Sequence, residues 1–288
     1  MLERILKPTK NLLRGPYRAA RKKYLRQFYG FDRDGLLALL RRNGIQSGAA
    51  LLVHSGMTEF AGFRGSVADI VRVFQTAVGP HGTLLMPTIP FTGTAVEYAQ
   101  SDPVFDPRLT PSRVGLVSEL FRRFPGVRRS IHPTHSIAVW SPDADRWIEN
   151  HPLADTPCGR SSPFDVLCSE NGYIVLAGVT TASLTFFHYV EEIIEPRLPF
   201  SPFTKERYTL RCRVGGRVIE SRAIRLFNPE ISRRRDLAPL VAELQKKSRW
   251  KQDRLGTLNI IVLRAKEVLE TLEEMADRGL FCYKSATH

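Results

Sequence analysis

The chain has 288 residues, 43% hydrophobic and 25% charged, enough to bury a sizeable core as one large domain or two small ones. No apolar run approaches the length of a bilayer crossing, and Cys158, Cys168, Cys212 and Cys282 lack the paired spacing of a metal site; a membrane-spanning chain and a cysteine zinc module are set aside. The formal net charge is +13 with a pI near 9.9, and much of it is local: nine Lys and Arg face only Glu3 in the first thirty residues.

Residues 1–30 read as a basic arm, with Ile5, Leu12, Leu13, Tyr17 and Tyr24 interleaved among the charges. Pro8 and Pro16 break it into short pieces. It is either an amphipathic contact for an anionic membrane surface, or a solvated or docked extension. Nucleic acid is disfavoured, because no zinc-finger spacing or RNA-binding aromatic signature follows. The N-terminus has no signal-peptide apolar core, so a cytoplasmic protein is expected, and the four thiols are expected to be free and buried.

From Phe31 the pattern becomes regular. "DRDGLLALLRRNGI" is an amphipathic helix stopped by Gly44, and "AALLVHSG" is a buried strand. "SVADIVRVFQTAV" is a helix capped by Ser66 with Asp69 three residues on, and "GTLLMPT" is the next strand. A long polar loop leads to the helix "TPSRVGLVSELFRRF", then the strand "HSIAVW" and a short helix after Pro142. "SSPFDVLCSEN" is a helix with Ser162 as N-cap and Pro163 first. "GYIVLAGV" is another buried strand, followed by the helix in "SLTFFHYVEEIIE". Beyond Glu195, "RYTLRCRVGGRVIESRAIRL" signals a hairpin about Gly215-Gly216, placed as an addition at a sheet edge. "DLAPLVAELQKK", "GTLNIIVL" and "RAKEVLETLEEMADRG" complete the chain as helix, strand and helix.

Alternating strands and helices predict an α/β fold: a central mixed, largely parallel sheet flanked by helices, with an added antiparallel hairpin in the C-terminal third. The organisation predicted is the basic arm over residues 1–30 and a single α/β domain over residues 31–288.

Candidate site residues gather at strand ends, where small and hydroxyl residues let a ligand approach the backbone: "VHSG", "MPT" and "GVTTAS". "GVRRSIHPTHS" is the densest polar cluster, and Pro133 makes it a loop entering a strand. His188 and Glu191 are three apart, so they share a helical face. A carboxylate beside an imidazole fixes its tautomer and raises its basicity, although an exposed histidine beside a solvated glutamate has the same spacing. A zinc site from His132, His135, His188 and Glu191 is the competing arrangement, and would make a metal-dependent hydrolase.

Taken together, "VHSG", "GPHGTLLMPT", "FDPRLTPSRVG", "ELFRRFPGVRRSIHPTHSIAVWSP", "SPFDVL", "GYIVLAGV" and "FFHYVEE" resemble, in this order, the aminoglycoside 3-N-acetyltransferase family. The resemblance is strong over residues 53–192 and faint beyond, and "FPGVRRSIHPTHS" is its most specific motif. It implies transfer of an acetyl group from acetyl-CoA to a primary amine of an aminoglycoside or other amino sugar, with no metal. His188 would be the base and Glu191 its partner. Ser55, Gly56, Thr110, Ser112, Arg128, Arg129, Ser130 and His132 are the implied acetyl-CoA contacts, and Glu192 and Thr180 the implied acceptor contacts. Ser55 or Thr180–Thr181 would supply oxyanion donors. A non-catalytic member of the family is the further alternative.

The chain departs from the family in three places. Gly56 stands where members commonly have a second serine, residues 91–105 contain only Glu97 and Asp102 as acids, and the basic arm is additional. A cleft for polycationic aminoglycosides needs marked acidity, whereas this chain is basic. The expected acceptor is therefore an amino sugar other than an aminoglycoside drug, nucleotide-linked or membrane-associated.

Overall fold

The computed structural model describes residues 14–284. In chain order the strands are β1 (Ala50–Ser55), β2 (Thr83–Pro87), β3 (Val104–Phe105), β4 (Val127–Arg129), β5 (Ile137–Trp140) and β6 (Tyr173–Ala177). They continue as β7 (Phe203–Tyr208), β8 (Arg211–Val214), β9 (Arg217–Glu220), β10 (Ile224–Phe227), β11 (Lys251–Leu255) and β12 (Leu258–Arg264). The central sheet has the order β11-β12-β6-β1-β2-β5-β4. It is mixed as expected: β6, β1 and β2 run parallel at its centre, while β11, β12, β5 and β4 pair antiparallel on the two flanks.

The apolar runs lie where their composition demands. Leu51, Leu52 and Val53 of β1 are fully buried, because helices cover both faces of the sheet. On one face β1 and its neighbours pack against the helices Arg33–Arg42 and Val67–Val78; on the other they meet Pro163–Ser169, Phe186–Ile193 and Ala265–Asp277. Ser66 and Asp69 form the reciprocal cap at the start of Val67–Val78, with Asp69 N–H to Ser66 Oγ 3.2 Å and Ser66 N–H to Asp69 Oδ2 2.9 Å. Ser162 precedes its helix as expected but does not cap it; its hydroxyl donates instead to the Cys158 carbonyl at 2.7 Å. All four cysteines are buried free thiols.

Two expectations change. The hairpin about Gly215-Gly216 forms, with both glycines at positive φ and Val214 opposite Arg217. It does not join an edge of the central sheet. β8 and β9 form a separate sheet with β3, while β7 pairs with β10. The edges of the central sheet are held by β11 and β4, and the hairpin pairs with β3 instead. Nor does Pro16 break the arm: Arg14–Phe28 is one helix with Pro16 in its first turn, where a missing N–H leaves no helical bond unmade. Arg64 donates to the Arg26 carbonyl at 3.2 Å and ties the helix end to the domain. Residues 1–13 of the arm expected to contact a membrane lie outside the described residues; in the described part Tyr24 and Phe28 are exposed. No helix among the described residues is long and apolar enough to cross a membrane.

Candidate active site

Parallel β6, β1 and β2 end on the same rim of the sheet, and antiparallel β5 begins there. A cleft of about 400 Å³ opens on that rim, walled by His54 and Ser55 from β1, His135 from the loop before β5, His188, Phe227 of β10, and Arg235. His54 and Ser55 close β1, His188 lies in the first turn of its helix and Phe227 ends β10, whereas His135 and Arg235 come from loops.

His188 sits on the helix Phe186–Ile193, whose Phe186, Phe187 and Val190 fill the core. Its side chain is 22% exposed and its Nδ1 lies 3.4 Å from Glu191 Oε2, while Glu191 is fully buried. The carboxylate is held on three sides. Arg235 donates through Nε to Oε1 at 2.9 Å and through Nη2 to Oε2 at 2.6 Å, and the Tyr283 hydroxyl donates to Oε1. Burial pushes the Glu191 carboxyl up, but the bond to His188 and the charge of Arg235 outweigh it and leave it below the usual range. Burial and then the Arg235 charge push His188 down, against the pull of Glu191. The result is a neutral imidazole backed by an ionised, immobile carboxylate.

Arg235 and Tyr283 escaped the sequence reading, and His54 entered it only within "VHSG", with no role of its own. A carboxylate buried on a helix requires a cation or donors. Nothing in the spacing says which arginine supplies it, since Arg235 is 44 residues further on. His54 had a signal, a polar side chain at the end of a buried strand. It is 6% exposed, its Nε2 has no hydrogen-bond partner among the described residues, and burial with the nearby His188 lowers it to about 3. Beside it, Ser55 Oγ is also buried without a partner among the described residues. Gly56 follows, its N–H given to the Ala177 carbonyl at 3.0 Å. A Cβ on Gly56 would stand 2.5 Å from the Gly178 carbonyl oxygen, so the serine expected of the family has no room here without a backbone shift.

The other predicted contacts are placed differently. Arg128 and Arg129 alternate across β4 and cannot grip one phosphate together. Arg128 is exposed and paired with Asp145 at 2.7 Å. Arg129 is buried, with Nε on Thr88 Oγ1 (3.0 Å) and Ser136 Oγ (2.9 Å) and the remaining donors on the Thr88 and Thr110 carbonyls. It is a clamp between loops, lowered to about 9 by burial. Ser130 is equally internal, bound to His151 Nδ1 at 2.8 Å and to the Ile137 N–H at 2.9 Å. His132 Nδ1 accepts the His135 N–H at 3.1 Å, and its ring stacks on His151. Thr110 Oγ1 accepts the Asp106 N–H at 2.7 Å, and the Ser112 N–H is held by Glu119 at 2.6 Å. Thr180 is exposed at the head of the turn Thr181–Ser183, whose Ala182 and Ser183 reach the cleft instead. Glu192 faces away, accepting the Cys158 N–H at 2.8 Å, and burial raises it to about 8. Of the predicted contacts other than His188, only Ser55 lines the cleft, because loop polarity in sequence does not distinguish residues that tie loops together from those that meet a ligand.

The three histidines of the hydrolase alternative do not converge. His132 and His135 are edge to face at 6.4 Å between ring centroids, and His135 and His188 at 6.3 Å. Among the described residues no three His, Cys, Asp or Glu side chains form a ligand group.

The family model described as aminoglycoside 3-N-acetyltransferase matches residues 52–277. The chain belongs to the aminoglycoside 3-N-acetyltransferase family. Among family relatives, it is 27% identical over 182 residues to the prophage-derived aminoglycoside N(3')-acetyltransferase-like protein YokD of Bacillus subtilis, covering 56% of this chain and 63% of the relative. It is 29% identical over 175 residues to aminoglycoside N(3)-acetyltransferase III of Acinetobacter baumannii, covering 57% and 61%. The chain thus spans about three fifths of the length of the curated relatives it matches. In fold it is similar to AAC-IIIb in binary complex with CoASH, at a TM-score of 0.73 and 21% identity over 90% of this chain and 99% of the other. It is also similar to a variant of AAC(3)-IVa in complex with a gentamicin, at a TM-score of 0.74 and 24% identity over 89% and 93%.

Proposed function

We propose that the protein is an acetyl-CoA-dependent N-acetyltransferase that acetylates a primary amine of an aminoglycoside or other amino sugar, with His188 as general base. The observation that carries this reading is the cleft-facing imidazole of His188 backed by the buried, triply held Glu191. With Nδ1–H directed at Glu191, Nε2 is left to accept a proton. An amine is largely protonated in neutral water and must lose a proton to attack. That first proton goes to water; as the neutral nitrogen bonds to the thioester carbonyl carbon, His188 takes a second proton from it and Glu191 stabilises the imidazolium. Collapse of the tetrahedral intermediate breaks the C–S bond, and the proton passes to the departing CoA thiolate. No covalent enzyme intermediate is required.

The oxyanion needs a donor. The Gly56 N–H is already used by Ala177, whereas Ser55 Oγ, at the cleft, has no partner among the described residues. We assign the donor role to Ser55. Ser55→Ala is expected to lower kcat about 10²-fold with acetyl-CoA affinity retained, the size of a lost oxyanion donor. Unchanged kcat in steady-state thiol-release assays would remove Ser55 from the step.

The pH profile tests the base. His188 is surrounded by Glu191 on its own helix, Arg235, and the buried rings of His54 and His135. The base works when neutral, so activity falls as pH drops through its pKa, which lies below the ordinary 6.5. Arg235→Gln removes a cation that pushes that pKa down. The acid limb of kcat/KM should therefore move to higher pH. A limb that stays in place, or moves down, would show that the titrating group is not His188.

A further inference from the structure

The charges around the cleft restrict the acceptor. Among the described residues Arg235 is the one permanently charged side chain lining it, and the imidazoles of His54 and His135 are kept neutral by burial. The remaining wall is apolar or hydroxylic, including Ile89, Phe91, Phe227 and Ser232, and no carboxylate lines the cleft among the described residues. The acids that lie close behind it are committed elsewhere. Glu191 is fully buried against Arg235 and Tyr283. Glu195 holds Arg225 through two bonds of 2.8 and 3.0 Å. Glu97, in an adjoining recess with Phe91 and Tyr98, accepts the Thr94 N–H at 2.9 Å as part of a helix cap. Glu192 is half-buried and turned toward Cys158, whose N–H its Oε1 accepts.

An ammonium group that leaves water for such a wall loses hydration and gains no counter-charge. Arg235, already paired with Glu191, gives it no attraction either. The penalty recurs with each further ammonium of a polyamine. A single reacting amine escapes it, because that amine gives up its proton to attack. Meanwhile Phe91, which lines the cleft and stacks with Tyr98 at 5.3 Å, offers apolar ring surface to the C–H side of a sugar.

We infer that the acceptor is a monoamino sugar, neutral or bearing an acidic substituent, and not a polycationic aminoglycoside. This rests on the acetyl-transfer reading above and narrows its substrate. The test is calorimetric titration of the full chain at about 0.15 M salt, first with CoA and then, with CoA saturating, with glucosamine, glucosamine 6-phosphate and gentamicin. The expected result is binding of one or both monoamino sugars, with gentamicin weaker by about 30-fold or more and not tightened by lowering the salt. Ser232→Asp, which adds a carboxylate to the wall, should raise gentamicin affinity about tenfold. Gentamicin binding as tightly as either sugar, or tightening as salt falls, overturns the inference. So does CoA binding with none of the three amines bound, which leaves acetyl transfer itself standing. Failure to bind CoA overturns the acetyl-transfer reading and the inference with it.

Discussion

Replacing His188 with alanine is expected to lower turnover by roughly 10²–10⁴-fold, the usual contribution of a positioned general base. Even a neutral amine must shed one proton as the amide forms, and His188 is the imidazole at the cleft with a carboxylate behind it. His54 and His135 also line the cleft, but burial and the proximity of His188 hold both well below the ordinary imidazole range, so they are poor bases near neutrality. The loss should fall on kcat and kcat/KM alike, with CoA binding retained, because the imidazole acts only as the C–N bond forms. Raising the pH should recover part of the loss, since a larger fraction of the amine is then already neutral. Turnover within about threefold of the unaltered protein, against the expected decades, would remove His188 from the mechanism.

The second large effect is on stability. Glu191→Ala leaves the Arg235 guanidinium and the Tyr283 hydroxyl facing a void where the carboxylate stood. Removing one partner of a buried ion pair costs about 3–5 kcal/mol, because the remaining charge is buried without compensation. Urea unfolding should show this as a lower midpoint at unchanged slope. Glu191→Gln keeps the shape and acceptor oxygen, so it should lose less stability while still losing the charge that supports His188. A Glu191→Ala protein within about 1 kcal/mol of the original would mean that Arg235 finds water or another acceptor, and that the clamp is not a source of stability. Measuring both variants separates the structural role of Glu191 from its support of the base.

The contrast between Arg129 and Arg235 shows where sequence reasoning ends. "GVRRSIHPTHS" is polar, sits at a strand boundary and carries the strongest family resemblance, so Arg128, Arg129, Ser130 and His132 read as ligand contacts. In the fold the last three tie β4 and β5 to neighbouring loops, and their polar atoms are mostly spent on carbonyls, hydroxyls and amides of the chain itself. Arg235 sits in a basic run with no motif around it, yet it touches both the carboxylate and the cleft. A polar motif can be retained for building a site's frame as readily as for meeting its ligand.

What the sequence determined alone was local or repeated along the chain. Apolar runs of strand length marked β1, β2 and β6 as buried, Ser66 with Asp69 set a helix start, paired glycines set a tight turn, and a spacing of three put His188 and Glu191 on one helical face. These follow from backbone geometry over a few residues. The tertiary structure decided the rest. It brought Arg235 and Tyr283 onto Glu191 from 44 and 92 residues away, turned His54 and Ser55 toward the same cleft, buried Arg129, and committed the nearby acids to other partners. Which distant groups meet depends on how strands order in the sheet and which side chains the packed helices leave facing the rim, and neither is encoded in the spacing of residues along one segment.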